Sequence, residues 1–174
     1  MNDLMILALL LEAPQHGYAL KKRAGLISGS ADMHNNLVYP LLRRFVGKGW
    51  VTRRKSAGER GQTRQVYALT AAGRRALLDR IRDFDDAAAA SVEEFRIRVG
   101  LFPILSPRER EEILQNRRAY LAGRDARFEP LQEEMDLGEY GSEVVRFIRQ
   151  EIKNESTWIE RLRQMNRKPK KKLT

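Results

Sequence analysis

The chain has 174 residues, of which 42% are hydrophobic, and a formal net charge of +10. It is long enough for one or two small domains, each with an apolar core. The lack of cysteine excludes disulfides and thiolate metal sites, and two histidines are too few for a histidine-rich metal centre. We therefore expect a cytoplasmic protein that carries no metal ion and no other cofactor.

The charge is unevenly distributed along the chain. Residues 1–75 carry a net +9, residues 76–166 a net −4, and the tail that starts at Arg167 a net +5. A basic front portion is typical of a surface that faces a polyanion, and a slightly acidic remainder is typical of one that meets protein. The apolar run LMILALLL at 4–11 is shorter than the ~20 residues of a membrane span and lacks the flanks of a secretory signal, so it predicts a buried helix.

Two helices are predicted before residue 30. The first runs from about Asn2 to Leu11 and stops before Pro14, and the second runs from about His16 to Leu26. Tyr18 and Leu20 are expected to contact the core from the second helix. Glycine and serine residues between positions 25 and 30 then break the helical pattern.

The stretch from Met33 to Trp50 predicts a short amphipathic helix, with Asp32 as its N-cap and Pro40 near its start. Its apolar residues recur at the spacing of one buried face: Val38, Leu41, Leu42 and Phe45. The other face carries residues of types that can read base edges in the DNA major groove, with a tyrosine among them: Asn36, Tyr39, Arg43 and Arg44. Such a face is often only solvated. As the second helix of a helix-turn-helix, however, this one is interpreted as a recognition helix.

After Trp50 the pattern changes to that of two strands. The segments WVTRRK (residues 50–55) and RQVYAL (residues 64–69) predict a two-stranded hairpin with a long tip containing Gly58 and Gly61. Five positive charges lie on it: Arg53, Arg54, Lys55, Arg60 and Arg64. A basic hairpin beside a helix-turn-helix predicts a winged helix whose wing contacts phosphates or the minor groove, although a charged hairpin tip is sometimes only a soluble edge.

Thr70 is expected to cap a further helix that starts at Ala71. The buried face of this helix is predicted to carry Leu77, Leu78, Ile81 and Phe84. Over about residues 4–80 the chain resembles the PadR-like family of transcriptional regulators. The resemblance rests, in order and spacing, on HGYAL at 16–20, LVYPLLRRF at 37–45 followed by GKGWV at 47–51, and GQTRQVYALTAAGRRAL at 61–77.

The resemblance implies a dimeric winged-helix regulator, commonly a repressor. It implies DNA contacts at the positions that match the family's: Asn36, Tyr39, Arg43, Arg60 and Arg64. The chain departs from the family at residues 34–36, where many members carry Ser, Pro or Gly, and this alters the helix end nearest the bases. Because some relatives respond to phenolic acids and others to bulky hydrophobic drugs, the resemblance also implies a small aromatic effector.

The remainder of the chain predicts a helical domain. Ser106, Pro107 and Glu109 form a capping box with proline at the first helical position. The helix that follows repeats an apolar residue every seven positions, and Pro130 is expected to kink or interrupt the helix. A turn at 137–141 precedes a last helix from about Ser142 to Met165. The repeating residues of the first helix are Leu114, Leu121, Phe128 and Met135, and those of the second are Val145, Ile152 and Ile159, with Ile148 and Leu162 between. We expect an antiparallel hairpin whose apolar seams are covered by a second copy, or alternatively by its own front domain.

The predicted fold is therefore mainly α with a small two-stranded β-wing. It comprises a winged helix-turn-helix at 1–84, a helical dimerisation domain at 85–166 and a basic tail at 167–174. The residues expected to bind DNA are Asn36, Tyr39, Arg43, Arg44, Arg53, Arg60 and Arg64. The residues expected at the dimer interface are Leu114, Leu121, Val145, Ile148, Ile152, Ile159 and Leu162.

No glycine-rich phosphate loop, zinc-ligand spacing or nucleophile motif occurs in the sequence, so we expect no enzyme. The leading hypothesis is a homodimeric repressor of a pseudo-palindromic double-stranded DNA operator. The alternatives are a protein-interaction module with weak non-specific DNA binding and an RNA binder, which would expose stacking aromatics. A cleft near Phe95, Phe102 or Trp158 could hold such an effector, with Arg96 or Arg98 to pair with a carboxylate, but plain core is the favoured interpretation of these aromatics and the effector site is left unassigned.

Overall fold

The computed structural model describes residues 2–28, 35–57, 63–128, 130 and 137–167. The chain divides into two compact units, Met1–Asp83 and Phe84–Thr174, called here the front unit and the back unit. The described residues are mostly helical, with one small antiparallel sheet. The predicted fold class, a mainly α chain with a β-wing, is confirmed. Within the described ranges, no helix has the length and apolarity that crossing a membrane requires.

The front unit is a helix-turn-helix followed by a β-hairpin. Its elements in chain order are α1 (Asn2–Glu12), β1 (Gln15–His16), α2 (Gly17–Ser28), α3 (Asn35–Gly47), β2 (Val51–Ala57), β3 (Thr63–Leu69) and α4 (Ala71–Arg82). The prediction of two strands was incomplete, because β1 pairs antiparallel with β3 and the sheet order is β1-β3-β2. A strand of two residues is too short to show an alternating pattern, so His16 resembled the start of a helix.

Helix α1 lies at the centre of the front unit and contacts α2, α4 and β3. It is apolar on almost every side, as predicted, and its buried residues are Leu4, Met5, Ile6, Leu7, Leu9 and Leu10. Helix α2 buries Leu20 and Ala24, which are four residues apart and share a face. The core role predicted for Tyr18 is wrong, since its side chain is 72% exposed. Tyr18 precedes Leu20 by two residues, which places it on nearly the opposite side of the helix.

The back unit is entirely helical in its described part. It comprises α5 (Asp86–Ala90), α6 (Val92–Gly100), a 3₁₀ turn (Phe102–Ile104), α7 (Pro107–Ala126) and α8 (Gly138–Arg167). The predicted capping box is present at the start of α7: the Ser106 N–H donates to the Glu109 carboxylate at 2.7 Å, and the Glu109 N–H donates to the Ser106 hydroxyl at 3.3 Å. Two boundaries differ from the prediction. Helix α7 ends at Ala126, four residues before Pro130, and α8 begins at Gly138, within the predicted turn.

Helices α7 and α8 pack as an antiparallel hairpin. The Asn166 side-chain amide donates to the Pro107 carbonyl at 2.8 Å, at the start of α7. Near the other end of α7, Arg149 pairs with Asp125 at 2.9 Å. Between these two contacts, Arg163 pairs with Glu111 at 2.7 Å.

The apolar seam of this hairpin is buried within one chain. Five residues that we had expected at a dimer interface are buried here: Leu114, Leu121, Val145, Ile152 and Ile159. Ile148 and Leu162 are half-buried. Helices α7 and α8 cover each other along this line within one chain. The assignment of these side chains to a dimer interface stays a prediction.

Arg117 is the most deeply buried charged residue among the described positions, with 2% exposure. Its Nε and Nη2 atoms donate to the two carboxylate oxygens of Glu155 on α8, both at 2.8 Å. Its Nη1 donates to the carbonyl of Ala89 on α5. The guanidinium carbon also lies 5.6 Å from the Phe95 ring centroid and 5.3 Å from that of Tyr120. One side chain of α7 thus connects α5 and α8.

Candidate nucleic-acid interface

Helix α3 separates its apolar and polar residues onto opposite faces. The residues facing the core are buried: Val38, Leu41, Leu42 and Phe45. The exposed positions include Arg43 and Arg44, and Tyr39 is 36% exposed. Successive residues of an α-helix are rotated by about 100° around its axis. Relative to Asn36, this rotation places Arg43 within about 20° and Tyr39 about 60° to one side. Arg44 lies about 80° to the other side of Asn36. Asn36, Tyr39 and Arg43 therefore occupy one face, and Arg44 lies at its edge.

Arg44 is engaged by a residue of α1. Its guanidinium donates to the carboxylate of Asp3, and the guanidinium of Arg80 on α4 lies 3.5 Å from the same carboxylate. A single negative charge is thus shared between two cations on two helices. Arg43 lies about 100° around the helix axis from Arg44, and of the two neighbouring arginines its position is the closer one to that of Asn36.

Glycine at position 17 lets the ring of Tyr39 lie against the start of α2. A Cβ atom at this position would stand 2.8 Å from Cε1 of Tyr39, which is closer than carbon atoms approach in proteins. The glycine of the His-Gly-Tyr motif therefore positions a residue of α3. The His-Gly-Tyr motif marks Gly17 as a special position, but the sequence does not show that the residue it contacts is Tyr39.

The end of α3 carries further positive charge around Trp50. The ammonium nitrogen of Lys48 lies 4.6 Å from the Trp50 ring centroid, and the guanidinium carbon of Arg80 lies 4.7 Å from it. The chain leaves the helix through Gly49, whose φ of +68° belongs to the left-handed region that favours glycine. These contacts fix the direction in which the chain enters β2.

Thr70 and Gly73, both within the motif GQTRQVYALTAAGRRAL at 61–77, anchor the wing to α4. The Thr70 N–H donates to the Trp50 carbonyl at 2.9 Å, and its hydroxyl donates to the Gly49 carbonyl at 2.8 Å. The same hydroxyl accepts from the Gly73 N–H at 3.0 Å, which confirms Thr70 as the N-cap of α4. A Cβ atom on Gly73 would lie 2.1 Å from the Trp50 carbonyl oxygen. Only glycine permits this close approach of the α4 backbone to the junction between α3 and β2.

The described part of the wing presents positive charge on both of its faces. Arg53 lies opposite Tyr67 in the ladder, and Arg64 lies opposite Ser56. Because side chains alternate along a strand, Arg54 shares a face with Arg64, whereas Arg53 is on the other face. The exposed cations are Arg53, Arg54, Lys55 and Arg64. Arg60, also predicted to bind DNA, lies outside the described residues.

The back unit contains the aromatic and basic residues considered for an effector. Phe95 is fully buried, and its ring lies 5.5 Å from that of Trp158 in an edge-on arrangement. Arg98 is not available for a ligand: it is buried, pairs with Glu94 at 2.7 Å and lies 4.8 Å from the Phe84 ring centroid. Arg96 is exposed and lines a groove of about 360 Å³. The other lining residues are both apolar and polar: Ala90, Val92, Leu121, Ile152 and Trp158, together with Arg117, Arg124, Glu151, Asn154 and Glu155.

Taken together, the front unit offers a helix with one polar face, a basic wing beside it and a backbone junction that holds the two in place. Such a surface can bind a polyanion through its cations and can place arginine and asparagine side chains against base edges. No group of three or more residues with metal-ligand side chains lies together in the described ranges.

Residues 6–79 match the family model described as "Transcriptional regulator PadR-like family". A candidate transcriptional regulator from Thermoplasma acidophilum is 35% identical over 45% of this chain and 72% of its own, with a TM-score of 0.40.

Residues 6–79 of the chain belong to the PadR-like family. The family match covers the three sequence motifs on which the resemblance rested, so that prediction is confirmed. PadR-like proteins are transcriptional regulators, which also confirms the expectation of a regulator rather than an enzyme.

Two further solved structures are similar to this PadR-like chain. PadR of Bacillus subtilis in complex with operator DNA is 20% identical and covers 94% of this chain and 98% of its own, with a TM-score of 0.46. RosR of H. salinarum is 26% identical and covers 59% of this chain and 88% of its own, with a TM-score of 0.42. Comparison with curated proteins gives no match.

Proposed function

We propose that this PadR-like chain is a homodimeric repressor that recognises a pseudo-palindromic DNA operator. The observation that carries the proposal is the division of α3 into a buried apolar face and an exposed face with Tyr39 and Arg43, next to the basic wing. A recognition helix needs this division, because it must pack on its own domain while it enters the major groove. In this proposal the front unit is the DNA-binding domain and the back unit the dimerisation domain.

The cations of the front unit are assigned different tasks. Arg43 and Asn36 share the central face of α3, so they are placed to read base edges, with Tyr39 beside them. The exposed wing cations are assigned to phosphate contacts, which supply affinity and orientation rather than sequence preference. They are Arg53, Arg54, Lys55 and Arg64. Arg44 is assigned chiefly to holding α3 against α1 through Asp3.

The dimer follows from the geometry that operator recognition demands. Two copies related by a two-fold axis would present their α3 helices to successive major grooves about 34–36 Å apart. A back unit made of long helices is suited to hold two copies in this relation, because helical faces are readily self-complementary.

A small aromatic effector, such as a phenolic acid, is proposed to bind the groove lined by Arg96 and Trp158 and to release the operator. The groove holds the exposed cation Arg96 and the ring of Trp158, a combination that suits an aromatic carboxylate, and its polar lining also includes Glu151 and Glu155. We expect Arg96→Ala to weaken effector binding in calorimetry while leaving effector-free operator binding unchanged. An equal loss in both assays would contradict this site.

The first experiment is fluorescence anisotropy with a duplex from the gene's own upstream region and a shuffled duplex, across a salt series. A repressor should bind the first duplex tightly, with one dimer per palindrome, and the shuffled duplex weakly. Both affinities fall with salt, because phosphate contacts release counterions. Equal, salt-sensitive binding to every upstream duplex tested would instead favour a protein-interaction module with weak non-specific DNA binding.

Neighbouring arginines on α3 give a matched pair of variants. Arg43→Ala should cost ~1–3 kcal/mol at the operator and much less on the shuffled duplex, because a base contact is lost. Arg44→Ala should have a smaller effect on operator preference, because Arg44 already pairs with Asp3. If Arg43→Ala weakens binding equally on both duplexes, Arg43 is a phosphate contact and not a reader of sequence.

A further inference from the structure

A groove runs along one flank of the α7–α8 hairpin and has a volume of about 580 Å³. On α8 its lining residues recur at spacings of four and three, which places them on one side of the helix: Ser142, Arg146, Arg149, Lys153 and Ser156. Those on α7 follow the same spacing: Arg118, Ala122 and Asp125. Gln150 and Ile152 complete the lining, and we call this site the flank groove.

The flank groove is distinct from the groove that contains Arg96 and Trp158. Both grooves reach Ile152, a buried residue of the hairpin seam. On α8, Lys153 follows Ile152 and Glu151 precedes it, so the two are rotated from it by about 100° in opposite directions. Lys153 lines the flank groove, whereas Glu151 lines the other groove. The two grooves therefore lie on opposite sides of the seam.

Positive charge predominates in the flank groove. Four of its ten lining residues are cationic and one is acidic, which gives the lining a net charge of +3. The segment that contains it, residues 76–166, has a net charge of −4. The groove thus reverses the sign of its surroundings locally. Because a cleft lined by charges of one sign concentrates the electrostatic potential, such a groove attracts small anions from solution.

The arginines of the flank groove form ion pairs that are mostly exposed. They pair with carboxylates as follows: Arg149 with Asp125 at 2.9 Å, Arg118 with Glu160 at 3.4 Å, and Arg146 with Glu143 at 2.6 Å. In the last two pairs, each side chain is at least 50% exposed. Exposed ion pairs contribute little to stability, so an incoming anion can replace the carboxylate at small cost.

Lys153 supplies a positive charge that no carboxylate neutralises. Its side chain is exposed, and within the described ranges it forms no ion pair. It lies one turn of α8 from Arg149. On α7, Ala122 lies one turn from both Arg118 and Asp125 and contributes only a methyl group to the lining. This small side chain leaves open the space between the cations.

We propose that the flank groove binds a small multivalent oxyanion without an aromatic ring, of the diphosphate or tricarboxylate class. Its volume of about 580 Å³ falls within the range of small-molecule pockets. Guanidinium groups can donate two hydrogen bonds to one phosphate or carboxylate group, and Lys153 adds a compact charge. The hydroxyls of Ser142 and Ser156 can donate to an anion from the two ends of the α8 row. No described lining residue is aromatic, so a ring would find no stacking partner here.

The first test is a calorimetric titration of the full chain with sodium pyrophosphate and, separately, with sodium citrate, at constant ionic strength. At least one of the two should bind saturably, and the tighter binder identifies whether the groove prefers phosphate or carboxylate groups. Sodium acetate, which carries a single charge, should give no saturable heat. Because the front unit is also basic, variants then assign the measured heat to the flank groove.

Ala122→Leu tests the space of the groove. It retains every charge but fills the gap between the cations, so affinity for the tighter probe should fall at least ~10-fold through steric exclusion. Position 122 is exposed and leucine is a good helix former, so the thermal unfolding midpoint should not fall. If the midpoint does fall, the charge variant and its control decide the proposal.

Lys153→Gln tests the charge of the groove. Affinity should fall ~5-fold or more, because a cation that no carboxylate neutralises is lost. The matched control is Arg161→Gln, which removes one positive charge from an exposed position of the same helix outside the groove. Arg161 lies eight residues, or ~12 Å, further along α8, and physiological salt screens exposed charges beyond ~8 Å. Its loss should therefore change the affinity less than about twofold.

Each contrary result overturns the proposal in a different way. If neither pyrophosphate nor citrate binds saturably, the groove is not an anion site. Equal losses in Lys153→Gln and Arg161→Gln would show a response to net charge alone. Unchanged affinity in a folded Ala122→Leu variant would place the anion elsewhere on the chain. The inference is independent of the proposed repressor function, which stands or falls with operator binding measured separately.

Discussion

Replacement of Arg117 by alanine tests how the back unit is held together. Arg117 is buried on α7, and its guanidinium donates two hydrogen bonds to Glu155 on α8 and one to the Ala89 carbonyl on α5. Alanine removes all three donors at once. It leaves the Glu155 carboxylate, whose side chain is only 16% exposed, without its cation.

The size of the effect follows from this burial. Removing one partner of a buried ion pair costs ~3–5 kcal/mol, chiefly because the other charge stays buried and unpaired. A typical domain has a free energy of unfolding of about 5–15 kcal/mol, so the variant should lose at least about a fifth of it. Arg118 is the matched control, because it is the next residue of α7, is 51% exposed and pairs with Glu160 at 3.4 Å. Arg118→Ala should cost less than ~1 kcal/mol.

The assay is urea unfolding of the full chain at one fixed concentration, combined with hydrogen exchange. Fixed concentration matters because a dimer gains stability by mass action. Amides of α7 and α8 should exchange faster in Arg117→Ala, and amides of α3 in the front unit should serve as the internal reference. The double variant Arg117→Ala with Glu155→Ala should lose less than the sum of the two single variants, with a coupling of ~0.5–3 kcal/mol.

The reasoning would be refuted by a small effect. If Arg117→Ala and Arg118→Ala destabilise the chain equally, the guanidinium of Arg117 does not connect the helices of the back unit. If the double variant loses the full sum, Arg117 and Glu155 act independently, and the predicted cost of an unpaired carboxylate is wrong.

Two further predictions concern the front unit. Gly73→Ala should destabilise it by ~1–3 kcal/mol or more in urea unfolding, because the new Cβ would clash with a carbonyl oxygen of the α3–β2 junction. Gly47→Ala is the control and should be neutral or slightly stabilising, because no atom lies within 4 Å of the new Cβ. Equal losses of stability in the two variants would contradict the argument. Asp3→Asn should release Arg44 from its partner and raise affinity for any duplex in anisotropy, with a salt dependence steeper by about one phosphate contact. An unchanged salt slope would show that Arg44 does not reach DNA even when it is free.

The sequence was sufficient wherever the decisive contacts are only a few residues apart. The buried face of α3 was predicted from Val38, Leu41, Leu42 and Phe45, because helical spacing alone brings them together. Thr70 and Ser106 were predicted as caps, since a cap bonds to a backbone N–H two or three residues further on. The wing hairpin was predicted for the same reason, because its two strands are neighbours along the chain and their turn residues are visible.

The arrangement of the proposed DNA-binding surface was predictable only in part. The sequence placed Asn36, Tyr39 and Arg43 on one face, and the backbone of α3 agrees with this placement. It could not distinguish Arg43 from Arg44, because the partner of Arg44 is Asp3, which is 41 residues away. It also could not assign the wing cations to opposite faces, since that depends on the register between β2 and β3.

What remained for the tertiary structure to decide was which surfaces meet. A heptad repeat on α7 or α8 indicates that the helix has an apolar seam. It does not indicate whether the other helix of the hairpin or a second copy of the chain covers that seam. The fold places Leu114, Leu121 and Val145 inside one chain and leaves Phe147 outside it. In the same way, Gly73 is required by a carbonyl that the chain contributes 23 residues earlier. Local sequence determines which conformations a segment prefers through short-range sterics and hydrogen bonds, whereas the partner of each surface is selected by the packing of the whole chain.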